Sequence, residues 1–421
     1  METTRPADTE EVTRMSPKAL DGVRILDLSR ILAAPFATQQ LADLGADVIK
    51  IEQPGRGDDA REYGPPFLGD RADTGMAAFF LSCNRNKRSV TLDFTTARGQ
   101  EIMHDLLEHC DVVVENFRPG VLDKYGLGWE GVHNRFPHVV MCSITGFGQD
   151  GPYRARPGYD GIFQAVSGMM SVSGIPDGQP GASPMKSGLS LVDLLTGLYA
   201  TSAILAGLRH RDRTGEGQHL DVSLLDCGIA SMSHYVENYL VSGTVPERRG
   251  NGGFGGIPSQ AFTCSDDRMI FLVASSNAQF SRACGALGQP ELAQDPRFDS
   301  IAARIGHRTE LLEILEEIFR TKPAAHWLTE LEAVDVPVGP VNDIAEALSD
   351  PHVRSRDLQM TMQHAQEGPI PGLRYPIKMS RTPVTEYTAP PLLGADQDAV
   401  LGGLLGYDAE KIAALAADGV I

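Results

Sequence analysis

The chain has 421 residues, of which 42% are hydrophobic and 22% charged, and its formal net charge at pH 7 is −18. The length predicts two or three domains, and the composition is typical of a soluble globular protein with a sizeable core. The acidic balance argues against a nucleic-acid partner, because a phosphate backbone requires a basic protein face. A phosphate-bearing small ligand would need a locally basic pocket.

The N-terminal residues 1–19 are polar and acidic, which predicts a loose tail and neither a secretion nor an organelle signal. No apolar run approaches the ~20 residues that span a bilayer, so we expect a cytoplasmic protein with no membrane partner. The six cysteines and the dispersed histidines lack metal-ligand spacing. This pattern predicts buried cysteines, no disulfide framework and no metal site.

Strands and helices alternate over the first 150 residues. GVRILDLS (22–29) and ADVIKIEQP (46–54) are typical of strands, and APFATQQLADLG (34–45) between them is typical of a helix. Three further strands and one amphipathic helix are predicted, at 89–95, 111–117, 138–148 and 96–110. This repetition predicts an α/β fold whose parallel sheet carries helices on both faces.

The second half contains a long apolar segment and a glycine-rich loop. Residues 190–208 are apolar on nearly every side, which predicts a buried helix. RRGNGGFGGIPSQ (248–260) predicts a structureless loop. A strand (269–275) and mostly helical sequence follow, up to a Pro/Gly-punctuated crossing between domains at 336–350. The C-terminal stretch predicts a proline-rich extended segment and then a short helical hairpin.

Two GxGxxG matches are weak signals for a nucleotide site. Gly146, Gly148 and Gly151 follow a strand, but Pro152 stands where the helix of a dinucleotide fold should begin. The second match, at 250–255, also lacks the strand–turn–helix setting. Neither match predicts an NAD site. The first is suited to present backbone N–H groups to a ligand and the second to act as a flexible lid, with ordinary glycine turns as the alternative for both.

Two acidic residues draw attention. Asp160 lies in RARPGYDGIFQAVSG (154–168), between a turn and a predicted helix. Aspartate is a preferred N-cap, and a carboxylate at a helix N-terminus can also be a nucleophile, so both roles stay open. Asp193 lies inside the apolar helix, where an unpaired carboxylate is costly. A hydrogen-bonded structural role is the first interpretation of Asp193, and direct catalysis is the alternative.

Ordered blocks from about Leu20 to the C-terminus resemble the family III CoA-transferases, the group that contains formyl-CoA:oxalate and carnitine CoA-transferases. They include RPGYDGIFQAVSGMM, LDGVRILDLSRILAAPFATQQLADLGADVIKIEQPGRGDD, SITGFGQDGPY, RTGEGQHLDVSLLD and VPVGPVNDIAEALSDPHV. Within the family, the sequence is most similar to the succinyl-CoA-dependent dicarboxylate enzymes, such as succinyl-CoA:glutarate CoA-transferase. A formyl-CoA:oxalate-type or other carboxylate CoA-transferase is the alternative.

The resemblance places the family's nucleophilic aspartate on Asp160. Its carboxylate is expected to attack an acyl-CoA thioester, expel CoA thiolate and form an aspartyl acyl anhydride. The acceptor acid then exchanges onto Asp160, and the thiolate attacks again to form the new thioester. The family's glycine loop, which would shield the anhydride or bind an oxyanion, matches Gly252, Gly253, Gly255 and Gly256. CoA is thus a substrate, and no permanently bound cofactor is expected.

The resemblance also implies a set of CoA-binding residues at the ends of the predicted strands. Gln53 stands where some relatives carry arginine, which would weaken one contact to the CoA phosphates. A local positive field could come from Arg56, Arg85, Lys87, Arg88, Arg118 and Lys124. The remote carboxylate of a dicarboxylate acceptor has three candidate partners, Arg30, Arg61 and Arg249. The implied CoA-binding residues are Leu32, Ala33, Gln53, Leu92, Asp93, Phe94, Thr95, Asn116, Phe117, Arg118, Lys124, Thr145, Gly146, Phe147 and Gly148.

Two other functions are compatible with parts of the sequence. The related 2-methylacyl-CoA racemases place a histidine directly before the matched aspartate and use a second aspartate that falls on Asp193. Here Tyr159 replaces that histidine, and a phenol is a poor base for an α-proton near neutral pH. A non-catalytic CoA-binding protein is disfavoured because Asp160 stands within its full motif.

The expected architecture follows the family. After the 1–19 tail, a large Rossmann-like CoA-binding domain comprises 20–217 and 339–421, with the parallel sheet built from both segments. A smaller α+β domain, 218–338, is inserted between them. The resemblance further implies a homodimer whose two chains are interlocked.

Overall fold

The computed structural model describes residues 18–70, 76–253 and 255–421. These residues divide into two compact units. The first, called the sheet unit, comprises the chain up to Phe163, Leu189–Ser231 and Asp357–Ile421. The second, called the small unit, comprises Gln164–Gly188 and Met232–Arg356.

A parallel sheet of six strands forms the centre of the sheet unit. Its spatial order is β3-β2-β1-β4-β5-β6. Strand β4 reads Val-Val-Val-Glu and is buried along its whole length, as expected for a parallel strand covered on both faces. The α/β class with a parallel sheet is therefore confirmed. The strands are β1 (Arg24–Asp27), β2 (Asp47–Glu52), β3 (Lys87–Thr91), β4 (Val112–Glu115), β5 (Val140–Thr145) and β6 (His219–Ser223).

Seven helices follow or flank these strands, in the alternation that the sequence predicts. Helix α3 begins after Thr96, whose side chain accepts a hydrogen bond from the Gly99 amide and so caps the first turn. The helices are α1 (Ala33–Asp43), α2 (Ala78–Leu81), α3 (Ala97–Leu107), α4 (Trp129–Arg135), α5 (Asp160–Val166), α6 (Leu191–Thr214) and α7 (Leu224–Ser231).

The small unit is built around a three-stranded antiparallel sheet, with strands β7 (Ser259–Thr263), β8 (Met269–Val273) and β9 (Val338–Pro340) in the order β9-β8-β7. Its core includes a wholly buried arginine, Arg304, whose guanidinium donates to the carbonyls of Ile257, Phe298 and Ser275 at 2.8–3.0 Å. The helices are α8 (His234–Ser242), α9 (Asn277–Ala286), α10 (Ile301–Gly306), α11 (Arg308–Phe319), α12 (Ala324–Glu332), α13 (Ile344–Ser349) and α14 (Pro351–Ser355).

The C-terminal segment returns to the sheet unit but adds no strand to the parallel sheet, contrary to the expected shared sheet. Its strands β10 (Gln359–His364) and β11 (Gly368–Leu373) pair only with each other, and helix α15 (Ala409–Ala417) follows. The segment instead covers the outer edge of β3. There the Gln397 side chain accepts from the Thr91 amide and donates to its carbonyl, both at 3.0 Å. This side chain satisfies backbone groups that an exposed edge would leave unpaired.

The contact-based boundaries differ from the predicted 217/218 and 338/339. Strand β6 is hydrogen bonded to β5 in the parallel sheet, so residues 219–231 pack with the sheet unit. Residues 164–188 and 339–356 pack with the small unit. The physical reason is that β6 extends the large sheet, whereas β9 crosses the predicted second boundary to pair with β8.

Helix α6 is longer and more exposed than predicted. It has 24 residues, and its most apolar window is long and hydrophobic enough to cross a membrane by length and composition. It also lies in the sheet unit, where it contacts α1, β5 and β6. Only 39% of that window is buried, and Leu198 and Tyr199 are nearly half exposed. The prediction of a fully buried helix is wrong for this face.

Candidate active site

The sheet directs a set of loops to one edge. In a parallel sheet, ligands bind beyond the carboxyl ends of the strands, where the strand order reverses. The reversal lies between β1 and β4, which are neighbours in the sheet. The Asn116 side chain follows β4 and holds the loop after β1: its Oδ1 accepts from the Arg30 amide at 2.9 Å, and its Nδ2 donates to the Arg30 carbonyl at 2.7 Å. The two loops therefore form one rigid floor.

Two cavities open at this edge and share Arg30 and Phe117 in their linings. The first, called the arginine cavity, has a volume of about 450 Å³. Four arginines contribute to its lining, Arg30, Arg118, Arg154 and Arg156. The second, called the strand-end cavity, has a volume of about 400 Å³ and lies beyond the ends of β1, β2 and β3.

Most of the residues predicted to bind CoA line these cavities. The three exceptions are Lys124, Phe147 and Gly148. Lys124 is exposed, and the Phe147 ring packs edge-on against Tyr153 and Phe163. None of these three exceptions lines either cavity. The arginine cavity contains Leu32, Ala33, Asn116, Phe117, Arg118, Thr145 and Gly146. The strand-end cavity contains Gln53, Leu92, Asp93, Phe94, Thr95 and again Phe117.

Asp160 is the first residue of α5 and is buried, with 7% of its surface exposed. Its Oδ1 accepts hydrogen bonds from the amides of Val192 at 2.8 Å and Asp193 at 3.3 Å. These amides belong to the first turn of α6, whose N-cap Ser190 makes no side-chain capping bond. Asp160 thus caps α6, and it also stands at the start of α5, the helix for which the sequence predicted it as a cap. The α6 N–H groups direct their dipoles at the carboxylate and stabilise negative charge there.

Asp193 lies beside Asp160 and lines the arginine cavity. Burial raises the pKa of the Asp193 carboxyl, and the negative charge of Asp160 raises it further, to about 7. The neighbouring Tyr159 also lines the cavity and is 69% exposed. Tyr159 forms a side-chain hydrogen bond with Tyr63, and burial followed by the Tyr159 interaction raises the pKa of Tyr63. Tyr159, which precedes Asp160 in the chain, and Asp193, whose amide donates to Asp160, therefore both line the cavity.

Several of the cations proposed from the sequence as ligand-binding residues form ion pairs with carboxylates of the protein instead. Arg61, a candidate for the remote carboxylate, is buried and bound through two nitrogens to Glu52. Of the expected positive field, Arg85 is bound to Asp43, Lys87 to Asp27 and Arg88 to Asp47. Arg56 is paired with Asp59 near the cavity, and Arg118 lines the cavity itself.

Arg154 and Arg156 are cavity residues that the sequence argument missed. They precede Asp160 in the motif RARPGYD, two residues apart at the end of a turn, and that spacing was the available signal. The Arg156 guanidinium lies 3.6 Å from the ring centre of Tyr153, so its position is supported by a cation–π contact.

The glycine loop belongs to the small unit. The Gly253 amide donates to the Ser259 carbonyl at 2.7 Å, and a Cβ on Gly256 would lie 2.9 Å from the Ser275 carbonyl oxygen. Gly252 lies against Arg308, and Gly255 has a positive φ of 108°. The loop therefore needs glycine for close packing, and its role as a lid stays a prediction. Arg249, the third candidate for the remote carboxylate, also lies in the small unit.

All six cysteines are free and buried, as predicted. Across residues 18–70, 76–253 and 255–421, no group of three or more His, Cys, Asp or Glu side chains is arranged to hold a metal ion. The chemistry that these cavities offer is that of carboxylates and arginines.

Comparison with known proteins identifies close relatives over nearly the whole chain. The family model described as CoA-transferase family III matches residues 20–397. Succinyl-CoA:glutarate CoA-transferase of Homo sapiens is 40% identical over 408 residues, which cover 96% of this chain and 90% of the human protein. Succinate–glutarate CoA-transferase of Agrobacterium fabrum is 42% identical, with 91% of this chain and 95% of that protein covered. The crystal structure of a CAIB/BAIF family protein from Brucella suis has a TM-score of 0.82 and 40% identity, covering 92% of this chain and 100% of that one.

Proposed function

Since the chain belongs to CoA-transferase family III and is therefore an enzyme of the transferase class, we propose that it moves CoA from succinyl-CoA to a dicarboxylate such as glutarate. The names of the human and Agrobacterium relatives support this donor and acceptor. The observation that carries the proposal is the setting of Asp160, a buried carboxylate whose adjoining residues line a cavity with four arginines.

Asp160 is proposed as the nucleophile. A carboxylate oxygen of Asp160 attacks the thioester carbonyl, the carbon–sulfur bond breaks, and the electron pair leaves on the CoA thiolate. The acceptor carboxylate then attacks the aspartyl carbonyl of the anhydride and releases the donor acid as a carboxylate. The thiolate finally attacks the acceptor's acyl carbon and returns Asp160 to its ionised form. No proton is gained or lost over the cycle.

The two cavities suit the two ends of an acyl-CoA. We propose that the nucleotide of CoA occupies the strand-end cavity, where backbone and aromatic groups from Leu92–Thr95 line the wall, and that the thioester reaches the arginine cavity. Phe94 and Phe117 meet edge to face, 5.8 Å between ring centres, at the boundary between the two spaces. Arginines in the arginine cavity could balance the charges of a dicarboxylate acceptor in an otherwise acidic protein.

Asp160 can be tested separately as a nucleophile and as a helix cap. Asp160→Asn keeps an oxygen that accepts the α6 amides but removes the nucleophilic carboxylate. We expect succinyl-CoA:glutarate transfer to fall by at least about 1,000-fold, while the melting temperature stays close to that of the native protein. Asp150→Asn, an exposed aspartate on the preceding loop, is the matched control and should keep full activity. Near-normal transfer by Asp160→Asn would remove the proposed mechanism.

The acceptor is tested with a panel of acids. Glutarate, succinate, malate, oxalate and the monocarboxylate butyrate are offered with succinyl-CoA, and the new thioesters are separated by chromatography. Dicarboxylates of four or five carbons should be the best acceptors. Preference for oxalate or butyrate would refute the glutarate assignment but leave the transferase class intact. Deuterium uptake at Cα of a 2-methylacyl-CoA without an acceptor acid would instead support the racemase alternative, which Tyr159 argues against.

We also propose that a second copy of the chain covers the exposed apolar face of α6, as an interlocked homodimer. Exposed apolar side chains occur on α5 and α6 and, in the small unit, on α8, and exposed apolar patches on a protein surface are typical of interaction sites. Light scattering should give twice the chain mass of 45.4 kDa, and a monomer at micromolar concentration would refute the proposal. The side chains are Ile162, Val166, Leu198, Tyr199, Leu240 and Val241.

A further inference from the structure

Asp193 is an acid that the nucleophilic mechanism leaves unused. It lies three residues into α6, and its own amide donates to Asp160 Oδ1 at 3.3 Å. Asp193 lines the arginine cavity, the space in which the proposed function places the thioester of the substrate. The position places two carboxyl groups at one helix terminus, next to one substrate.

The two carboxyl groups interact differently with the N-terminus of α6. Asp160 accepts both of the α6 amides, whereas Asp193 only supplies one of them through its backbone. Like charges in close proximity favour protonation of the group with fewer donors. The raised pKa of Asp193, caused by burial and then by the charge of Asp160, agrees with this assignment. Asp193 is therefore the member of the pair that carries the proton below about pH 7.

The surroundings of Asp193 supply charges of both signs. Helix α1 packs against α6, but its only ionisable residue, Asp43, lies at the far end and is bound to Arg85. Helix α7 contributes Asp226, which is exposed, and Cys227. The ionisable groups that share its cavity are Arg30, Asp59, Arg118, Arg154, Arg156 and Tyr159, in addition to Asp160 beside it.

We propose that Asp193, as a neutral acid, donates a hydrogen bond to the acyl oxygen of the substrate while Asp160 attacks its carbonyl carbon. This inference rests on the proposed function. As the Asp160 oxygen–carbon bond forms, the carbonyl π electrons move to the acyl oxygen. The Asp193 O–H is aimed at that developing charge, and the proton stays on Asp193 throughout. A buried neutral carboxylic acid is a known type of oxyanion donor, and the loss of one such donor typically lowers kcat by about 100- to 1,000-fold.

The same proton also affects acceptor binding. An ionised Asp193 would add a second negative charge beside Asp160, where the acceptor's own carboxylate must approach. The neutral form removes this repulsion and keeps the arginines of the cavity available for substrate. The proposal therefore predicts that both kcat and kcat/KM for the acceptor fall when Asp193 loses its proton.

The test is the pH profile of succinyl-CoA:glutarate transfer by three proteins. In the native enzyme we expect kcat/KM to fall by about 30-fold from pH 6 to pH 8.5, as one group near pH 7 ionises. Asp193→Asn keeps an N–H donor that cannot ionise, so it should retain activity within about tenfold at pH 6 and show no such fall. Asp193→Ala should lose about 100-fold or more at every pH. Asp226→Asn removes an exposed carboxylate from the adjacent helix, and its profile should match that of the native enzyme.

A native profile that is flat from pH 6 to 8.5, or an Asp193→Asn profile that still falls, would overturn the proposal. Full activity of Asp193→Ala at pH 6 would do the same. If the alanine variant does not fold, the asparagine profile decides. These outcomes are separable from failure of the proposed function, because that function fails if the native enzyme transfers no CoA or if Asp160→Asn remains active.

Discussion

Replacing Arg61 with alanine is expected to destabilise the protein rather than change its choice of acceptor. Arg61 Nε and Nη2 donate to the two carboxylate oxygens of Glu52, each at 2.7 Å, and both side chains are almost wholly buried. Arg61 Nη2 also donates to the Pro391 carbonyl at 3.1 Å, and the guanidinium carbon lies 3.8 Å from the ring centre of Phe80. The arginine therefore connects β2, α2 and the C-terminal segment.

The loss of stability in Arg61→Ala depends on which hydrogen bonds and charges Glu52 would keep. Removing one partner of a buried ion pair typically costs about 3–5 kcal/mol, because the other charge stays buried without compensation. Glu52 would retain hydrogen bonds from the Ser89 hydroxyl at 2.6 Å and the Asp58 amide at 3.0 Å. The positive charge of Lys50 also acts on it. The loss should thus lie at the lower end, at about 3 kcal/mol of unfolding free energy.

The stability difference between the native protein and Arg61→Ala should become smaller at acidic pH. Burial raises the pKa of Glu52, but Arg61, Lys50 and the Ser89 hydroxyl together more than offset it, so the pKa lies below its usual value. A carboxyl with a lowered folded-state pKa stabilises the fold above its unfolded pKa, near pH 4, and that stability is lost as the pH falls through the folded value. In Arg61→Ala the contribution of Arg61 to this lowering is removed. The difference in stability between the native protein and the variant should be largest at neutral pH and should shrink below pH 4.

Urea unfolding at pH 7.5 and pH 3 measures both effects. Arg56→Ala is the matched control, since Arg56 is exposed and its pair with Asp59 should contribute less than about 1 kcal/mol. The double variant Glu52→Gln/Arg61→Met removes both charges and should recover most of the lost stability. An Arg61→Ala protein with native stability and a selectively raised KM for glutarate would refute the structural role and restore the substrate-binding role.

Three further predictions concern packing and loop positioning. Gly197→Ala should lower the unfolding free energy by about 1–3 kcal/mol, because its Cβ would lie 2.7 Å from a carbonyl oxygen of α1; Gly285→Ala, in open space on α9, should raise it slightly in the same denaturation assay. Asn116→Ala frees the Arg30 backbone and should raise the KM for acyl-CoA about tenfold in steady-state kinetics, and an unchanged KM would contradict the rigid-floor interpretation. Gln397→Ala should cost about 1–2 kcal/mol, measured by urea unfolding, through two lost bonds to the β3 edge.

Local sequence patterns predicted the sheet unit well because its central strands are short apolar runs. The residues around Val112–Glu115 are buried on both sides and read as a continuous β-branched segment. The small unit's boundaries were not predictable in this way. Residues 164–188 carry only short elements, and their membership in the small unit depends on contacts with residues far along the chain. The same limit applies to Glu52 and Arg61, nine residues apart, whose pairing follows from the turn after β2.

The candidate site likewise combines a residue that local sequence identifies with contacts that depend on distant parts of the chain. Asp160 was recognised from its motif, but two of its hydrogen-bond donors lie 32 and 33 residues later, at the start of α6. The local sequence could therefore predict that Asp160 caps a helix, but not that it contacts the start of α6. The sequence predicted no role for Arg154 and Arg156, and the structure shows that they line the same cavity as Tyr159.

The capping bonds of Asp160 act in opposite directions in the two halves of the proposed cycle. Amides that stabilise the resting carboxylate make it a weaker nucleophile, since a charge-assisted hydrogen bond is lost when the oxygen is acylated. The same amides make Asp160 a better leaving group when the thiolate attacks the anhydride, because they stabilise the carboxylate that departs. A hydrogen bond from Asp193 to the acyl oxygen would offset the first effect without opposing the second. The reversible exchange of CoA between two acids of similar energy requires this balance, because an enzyme that accelerated only one half would accumulate either the free carboxylate or the anhydride.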